Sequence, residues 1–360
     1  MSRALIDRAE HDPASLGRDD LAALLSLTDA IEARLLHAAA YRVKAREVGT
    51  TVYFRGIVEF SNLCVKNCDY CGIRRDNQDV ERYLMTVDEI VAAARWAHQG
   101  GYGSIVLQSG ERSDEDFVDF IEAALRAIHE ATAGELGVTL SLGEQSPATL
   151  RRWHAAGAHR YLLRIETSNR ELYRSLHPED HDWAARRACL DHLREAGYQV
   201  GTGVMIGLPG QTAYDLADDI LFFRDQDVDM IGMGPFIPHA DTPLGHLADG
   251  FDGQAQLELG LRMIAVARLF LRDVNIASTT ALQALAPTGR EMGLLAGANI
   301  IMPNITDTKY RRAYQLYNGK PCLDENGDQC RDCLERRIES IGETIGYGAR
   351  GDSPRFRKRA

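Results

Sequence analysis

The sequence predicts an α/β protein, a complete (βα)8 barrel of the TIM type with a helical extension before it and a cysteine-containing extension after it. Three observations predict this. Short β-branched runs alternate with helix-length stretches eight times between residues 51 and 302, and strands separated by helices make parallel sheet through right-handed crossovers. Polar residues recur at the C-terminal ends of those runs, where such barrels gather their chemistry. The length, 360 residues, holds one large barrel with extensions. The expected divisions are 1–48, 49–305 and 306–360.

In order along the chain, Leu21, Leu24, Leu25, Leu27, Ile31, Leu35 and Leu36 recur at helical spacing. They make the first segment a helical lead-in, expected to pack across a barrel end. Gly49 breaks it, and residues 51–60 read as the first strand. Thr86 and Glu89 form a capping box that opens a helix through His98, and Gly100 and Gly101 end it. Strands two to four read as 104–108, 138–142 and 160–166, with helices at 114–131, 147–156 and 183–196. Strands five and six read as 198–206 and 229–235, followed by helices at 212–223 and 254–271. A short seventh strand at 275–278, a helix at 290–296 and an eighth strand at 299–302 complete the series. No internal repeat is visible, and the basic tail 355–360 is expected to be a solvated terminus.

Net charge is −11, from 41 basic and 52 acidic residues, which argues against a general nucleic-acid binder. The first twenty residues mix charges without an apolar core, unlike a secretory signal. No apolar run is long enough to span a membrane. A cytoplasmic protein with no membrane or nucleic-acid partner is expected. Six of the seven cysteines fall in two tight triplets, which suits metal ligation in a reducing compartment better than a disulfide framework.

The first triplet, Cys64, Cys68 and Cys71, follows the first strand directly with the spacing Cys-x3-Cys-x2-Cys. Closed zinc sites take four ligands, yet no fourth cysteine is near and the next histidine downstream is His98. A four-iron cubane held by three thiolates fits better, because one iron stays open to an outside ligand. The second triplet, Cys322, Cys330 and Cys333, reads as an accessory iron–sulfur cluster (4Fe–4S or 2Fe–2S), with a zinc site as the alternative. Cys189, alone in a predicted helix, reads as a buried packing residue. Candidate site residues at strand ends are Gln108 to Glu111, Thr139 and Ser141, Arg164 and Glu166, Met205, Pro235 and Phe236, Thr279 and Thr280, and Met302 and Pro303. Arg164 and Glu166 lie two apart on a predicted strand and so share a face. There they form either a structural ion pair or a pair of ligand-holding groups.

With Tyr70 between its last two cysteines, the first loop resembles the signature of the radical S-adenosylmethionine (SAM) superfamily. The resemblance implies a 4Fe–4S cluster whose open iron is chelated by the amino and carboxylate groups of SAM. It also implies reductive cleavage of SAM to methionine and a 5′-deoxyadenosyl radical. From about residue 50 onward the chain resembles, within that superfamily, the HydE family of FeFe-hydrogenase maturases. The segments that carry this are the runs 106–111, 140–144, 160–167, 207–212, 234–239, 301–304 and 314–317. By that resemblance Tyr70, Gln108, Ser141, Glu166 and Arg186 hold SAM, while Thr139, Arg164, Thr279, Thr280, Met302 and Tyr314 line the substrate cavity. The implied substrate is a small iron–cysteine precursor with carbonyl and cyanide ligands, on the way to the diiron part of the hydrogenase H-cluster. The implied partners are an electron donor such as ferredoxin or flavodoxin and the other hydrogenase maturases. The alternatives are an enzyme resembling biotin synthase or methylornithine synthase, and an iron–sulfur scaffold or carrier, which needs no SAM pocket.

Overall fold

The computed structural model describes residues 2–324 and 327–359, with the backbone alone for residues 328–330. Helices α1 (Ser2–His11), α2 (Arg18–Leu25) and α3 (Ala30–Glu47) come first. Asp29 starts α3 by accepting from the Ile31 and Glu32 amides. The first barrel half runs β1 (Thr51–Ser61), α4 (Val87–Gln99), β2 (Ser104–Ser109), α5 (Glu115–Ala131), β3 (Gly137–Ser141), α6 (Pro147–Ala155), β4 (Ala158–Leu162), α7 (Arg170–Arg174) and α8 (Trp183–Glu195). The second runs β5 (Gln199–Thr202), β6 (Met205–Ile206), α9 (Ala213–Asp225), β7 (Met230–Ile231), β8 (Gly234–Pro235), α10 (Gly253–Leu271), β9 (Asn275–Ser278), α11 (Thr280–Leu285), α12 (Gly289–Leu295) and β10 (Ile300–Ile301). Helices α13 (Thr308–Arg311) and α14 (Gly327–Ser340), strand β11 (Thr344–Ile345) and helix α15 (Pro354–Arg359) follow.

Strands β1, β2, β3, β4, β5, β7, β9 and β10 pair in parallel in that order, and β10 returns to β1, so the barrel closes. Strand β11 adds to the start of β1 through Thr51 and Thr344. The capping box forms as read: the Thr86 hydroxyl accepts from the Glu89 amide at 3.2 Å, and the Glu89 carboxylate accepts from the Thr86 amide at 2.8 Å.

Three strand readings change. The predicted fifth and sixth strands each split in two, at Gly203 and Gly232. A Cβ on Gly203 would lie 2.0 Å from the Gly232 carbonyl oxygen, so the two backbones approach in a way only glycine permits. Above that crossing β6 and β8 leave the main ladder and pair with each other. The fourth strand ends at Leu162, and Glu166 lies beyond it with φ +66.

The N-terminal helices do not cross a barrel end. Helix α3 packs on α10 and α12, and α2 on α9, in the outer layer. The N-terminal end of the barrel is closed by residues 350–352. Inside the barrel the buried Arg55 guanidinium donates to the Gly351 carbonyl at 3.0 Å, and Arg160 donates to Asp352 at 2.7 Å. The basic tail stays exposed at residues 357–359, as expected, but it is tethered rather than free. Arg355 and Lys358 both meet Asp273, at 3.0 and 2.8 Å, and Arg359 pairs with Asp227 and Asp229. Carboxylates just before β7 and β9 gather at one rim, and the cationic helix α15 seats against them. No helix among the described residues is long and apolar enough to cross a membrane.

Candidate active site

With its N-terminal end plugged, the barrel opens at the C-terminal ends of its strands into a cavity of about 340 Å³. The thiols of Cys64, Cys68 and Cys71 all line it. The loop that carries them has almost no regular structure, and side chains pin it instead. Arg82 donates to the carbonyls of Asn62, Ile73, Arg74 and Asn77 at 2.5–3.0 Å. Asn62 donates to the Glu81 and Ala313 carbonyls, both at 2.7 Å. Glycine lets the loop sit close to its neighbours: a Cβ on Gly110 would lie 2.3 Å from the Leu63 carbonyl oxygen, and one on Gly72 would lie 2.1 Å from that of Gln315.

Burial pushes the Cys68 thiol up to about 12, and pushes Cys64 and Cys71 up as well. Negative charge on the neighbouring cysteines adds to the rise at Cys68 and Cys71. Three crowded, desolvated thiols ionise together only when a cation binds their sulfurs in place of the released protons. Among the described residues, no three His, Cys, Asp or Glu side chains converge as ligands of one metal ion. A cubane does not need that convergence, because each thiolate binds a different iron. One amide already serves the first thiol: the Glu111 N–H donates to Cys64 Sγ at 3.3 Å.

Beside the loop lies a network of charges. Arg186, after β4, donates through Nε to the Arg164 carbonyl at 2.6 Å and through Nη1 to Glu144 at 2.8 Å. Lys66 sits 3.3 Å from Glu111 and 3.5 Å from Glu144. Burial alone would lower the Arg186 guanidinium, and Glu111 and Glu144 overcome that and hold it charged. Arg164 and Glu166 do meet, at 2.9 Å, although they share no strand. The left-handed backbone at Glu166 turns its carboxylate to its partner and to the cavity. Gln108 donates to the Tyr314 hydroxyl at 3.3 Å, and Ser141 ends β3 at the cavity wall.

The Tyr70 hydroxyl lies 3.1 Å from His177 Nε2, while His177 Nδ1 faces the Tyr173 carbonyl at 2.7 Å. A carbonyl only accepts, so Nδ1 carries the proton and Nε2 accepts from Tyr70. Burial lowers His177 to about 3, which keeps the ring neutral.

Arg164, Thr279, Thr280, Met302 and Tyr314 line the same cavity, as do Tyr70, Gln108, Ser141, Glu166 and Arg186. Thr139 does not line it, contrary to expectation. Its hydroxyl accepts from Arg160 at 3.4 Å, one layer deeper, because a β3 residue two before Ser141 faces the plugged end of the barrel. Cys322 reaches the cavity wall, with φ +62. Cys333 lies on α14, and the Cys330 side chain lies outside the described residues.

Several cavity residues escaped the sequence reading. Glu59 shares the inward parity of Arg55 and Ile57 on β1, which is a usable signal. It receives Lys320 at 2.5 Å and the Asn304 amide at 2.9 Å. Lys320 also donates to the Tyr314 carbonyl at 2.8 Å, so residues 314–322 are strapped across the barrel mouth. Lys66, Glu111 and Glu144 stood inside motifs already singled out, but nothing in their spacing showed that the two carboxylates meet both Lys66 and Arg186. Tyr317 stood in the run 314–317 without being singled out, and His177 and Arg290 carried no signal.

A family model described as the radical SAM superfamily matches residues 58–223, from within β1 to α9. The [FeFe] hydrogenase maturase subunit HydE of Thermotoga maritima is 46% identical over 330 residues, covering 91% of this chain and 92% of its own. The 3-methylornithine synthase of Methanosarcina barkeri is 29% identical, covering 90% and 89%. The crystal structure of a methylornithine synthase superposes with a TM-score of 0.82 at 25% identity, over 96% of this chain and 98% of that one. With the cysteine loop, the closed barrel and the long match in agreement, the chain belongs to the radical SAM superfamily and, within it, to the HydE family of hydrogenase maturases, enzymes for which the family implies a 4Fe–4S cluster and SAM.

Proposed function

We propose that the protein cleaves SAM reductively and uses the resulting 5′-deoxyadenosyl radical on a small iron–cysteine carbonyl/cyanide precursor of the FeFe-hydrogenase H-cluster. The observation that carries this reading is one cavity, closed below, lined at once by the three loop thiols, the Arg164–Glu166 pair and the two threonines after β9. Cys64, Cys68 and Cys71 would hold the cluster, which when bound supplies the electron that breaks the sulfonium bond of SAM. Glu166 and Ser141 offer acceptors to the ammonium and ribose hydroxyls of SAM, Gln108 adds an amide, and Arg186 offers a guanidinium held at fixed orientation by Glu144. Tyr70, fixed by His177, keeps the cluster loop against that pocket. Arg164, Thr279, Thr280, Met302 and Tyr314 form a small wall in which polar groups predominate, suited to a compact ligand and too closed for a polymer.

Cys322, Cys330 and Cys333 would hold an accessory iron–sulfur cluster, and the electron would come from a ferredoxin or flavodoxin in the cytoplasm. The other hydrogenase maturases are the expected partners. The test is maturation in vitro. Reconstituted protein, SAM, reductant and the remaining maturases are supplied to an apo-hydrogenase, and 5′-deoxyadenosine is counted with the iron–cysteine precursor present or omitted. Hydrogenase activity that depends on this protein, with deoxyadenosine formed in response to the precursor, is the expected result. Deoxyadenosine formed only with an amino-acid substrate, and maturation that proceeds without the protein, would place it instead with the methylornithine synthases.

A further inference from the structure

Glu166 has an uncommon backbone for a residue with a side chain. Its φ is +66, a left-handed conformation that persists only where the surroundings impose it. Those surroundings act from both sides. Before the turn, the Glu166 amide donates to the Gly203 carbonyl at 3.1 Å, and the Glu166 carbonyl accepts from the Met205 amide at 3.0 Å. After it, Trp183 Nε1 donates to the Thr167 carbonyl at 3.0 Å. The amide and the hydroxyl of Ser168 then both donate to Asp219 Oδ1, at 2.6 and 2.7 Å.

Asp219 is the member of this set that stability alone does not explain. It sits on α9, is 0% exposed, and no cation among the described residues lies within ion-pair distance of it. Its Oδ2 is buried without a hydrogen-bond partner. Burial raises the carboxyl to about 7, against the opposing pull of Ser168. Charged, the group lacks a counterion; neutral, it leaves its second oxygen unmet. In either state its burial is less favourable than that of an apolar side chain of the same size. What it achieves is a double grip on Ser168, two residues beyond Glu166, which sets the direction in which the chain leaves the turn. Asp215, one turn earlier on the same helix, accepts from the Asn169 side chain at 2.8 Å, so α9 is the template on which residues 168 and 169 are laid.

We propose that Asp219 is a positioning residue for SAM: by gripping Ser168 it fixes the left-handed turn that aims the Glu166 carboxylate into the cavity. Released from that grip, the turn can relax to a right-handed backbone and carry the carboxylate away from the ligand. This rests on the reading above for Glu166 as a SAM contact. It extends that site to a side chain that lies outside the cavity lining.

SAM is titrated calorimetrically into the anaerobically reconstituted protein without reductant, so that binding is read and no cleavage follows. Asp219→Leu should weaken SAM at least about tenfold, the loss expected when a hydrogen bond to a charged group goes. Asp219→Asn, which keeps an acceptor for Ser168, should recover most of that affinity. In the Glu166→Ala background Asp219→Leu should weaken SAM by no more than about twofold, because the group that Asp219 aims is gone. A residue that only held the fold together would weaken SAM by one factor in both backgrounds. Iron and sulfide content reports whether each variant has folded and loaded. Equal factors in the two backgrounds, or undiminished affinity in iron-loaded Asp219→Leu, overturn the proposal. Should that variant fail to load iron, Ser168→Ala enters the same cycle. A several-fold loss that depends on Glu166 then supports the proposal, and no loss, or a loss independent of Glu166, overturns it. Wild-type protein that binds no SAM overturns the reading beneath as well, whereas wild-type binding with equal factors overturns this inference alone.

Discussion

Cys68→Ala is expected to lower reductive cleavage of SAM by roughly a thousandfold or more, because one member of a unit that acts together is lost. Cys68 lines the cavity between Cys64 and Cys71 in the loop, and burial with its neighbours' charge keeps its thiol up at about 12. Without it two thiolates remain for a cluster that needs three, so iron should leave the site and no electron can reach SAM. The comparison variant is Cys189→Ala. That residue is buried at 3% exposure on α8, outside the cavity lining, and its loss should leave cleavage intact. Counting 5′-deoxyadenosine per hour with dithionite as reductant separates the two. Equal turnover by Cys68→Ala and the wild-type protein would remove this loop from the chemistry.

Lys320→Ala should destabilise the fold by roughly 3–5 kcal/mol, the usual consequence of breaking a buried ion pair from one side. The Lys320 and Glu59 side chains are 7% and 4% exposed, and among the described residues Asn304 is the other group that donates to the Glu59 carboxylate. The alanine strands that carboxylate inside the barrel. It also releases the contact to the Tyr314 carbonyl that fastens residues 314–322 over the cavity. The double variant Glu59→Met/Lys320→Met removes both charges and should recover most of the stability. Urea denaturation of all three proteins measures this. A loss below about 1 kcal/mol would mean that the pair behaves as an exposed one.

Legibility in the sequence followed the range of the forces involved. Alternation of strand and helix, the capping box at Thr86 and the cysteine spacing are local, and the barrel and its cluster loop could be read from them. The splits at Gly203 and Gly232 could not, because they arise where the backbones of two neighbouring strands press together, a contact that local sequence does not encode. Arg164 and Glu166 were paired on a premise that failed, since the strand stops at Leu162; a left-handed residue restored the contact by another route. Thr139 was misplaced by one layer of side chains, a distinction that depends on where the cavity floor lies. The tethering of the tail could not be read, because its cations found carboxylates more than 80 residues away, such as Lys358 on Asp273.

The claim on which the rest depends is that three thiolates hold a cubane with one iron left for SAM. Electron paramagnetic resonance of the anaerobically reconstituted, reduced protein tests it most directly, recorded before and after SAM is added. A reduced 4Fe–4S signal that shifts on addition of SAM, and is absent from Cys68→Ala, is the predicted result. A signal indifferent to SAM, or zinc bound at Cys64, Cys68 and Cys71 in place of iron, would contradict it.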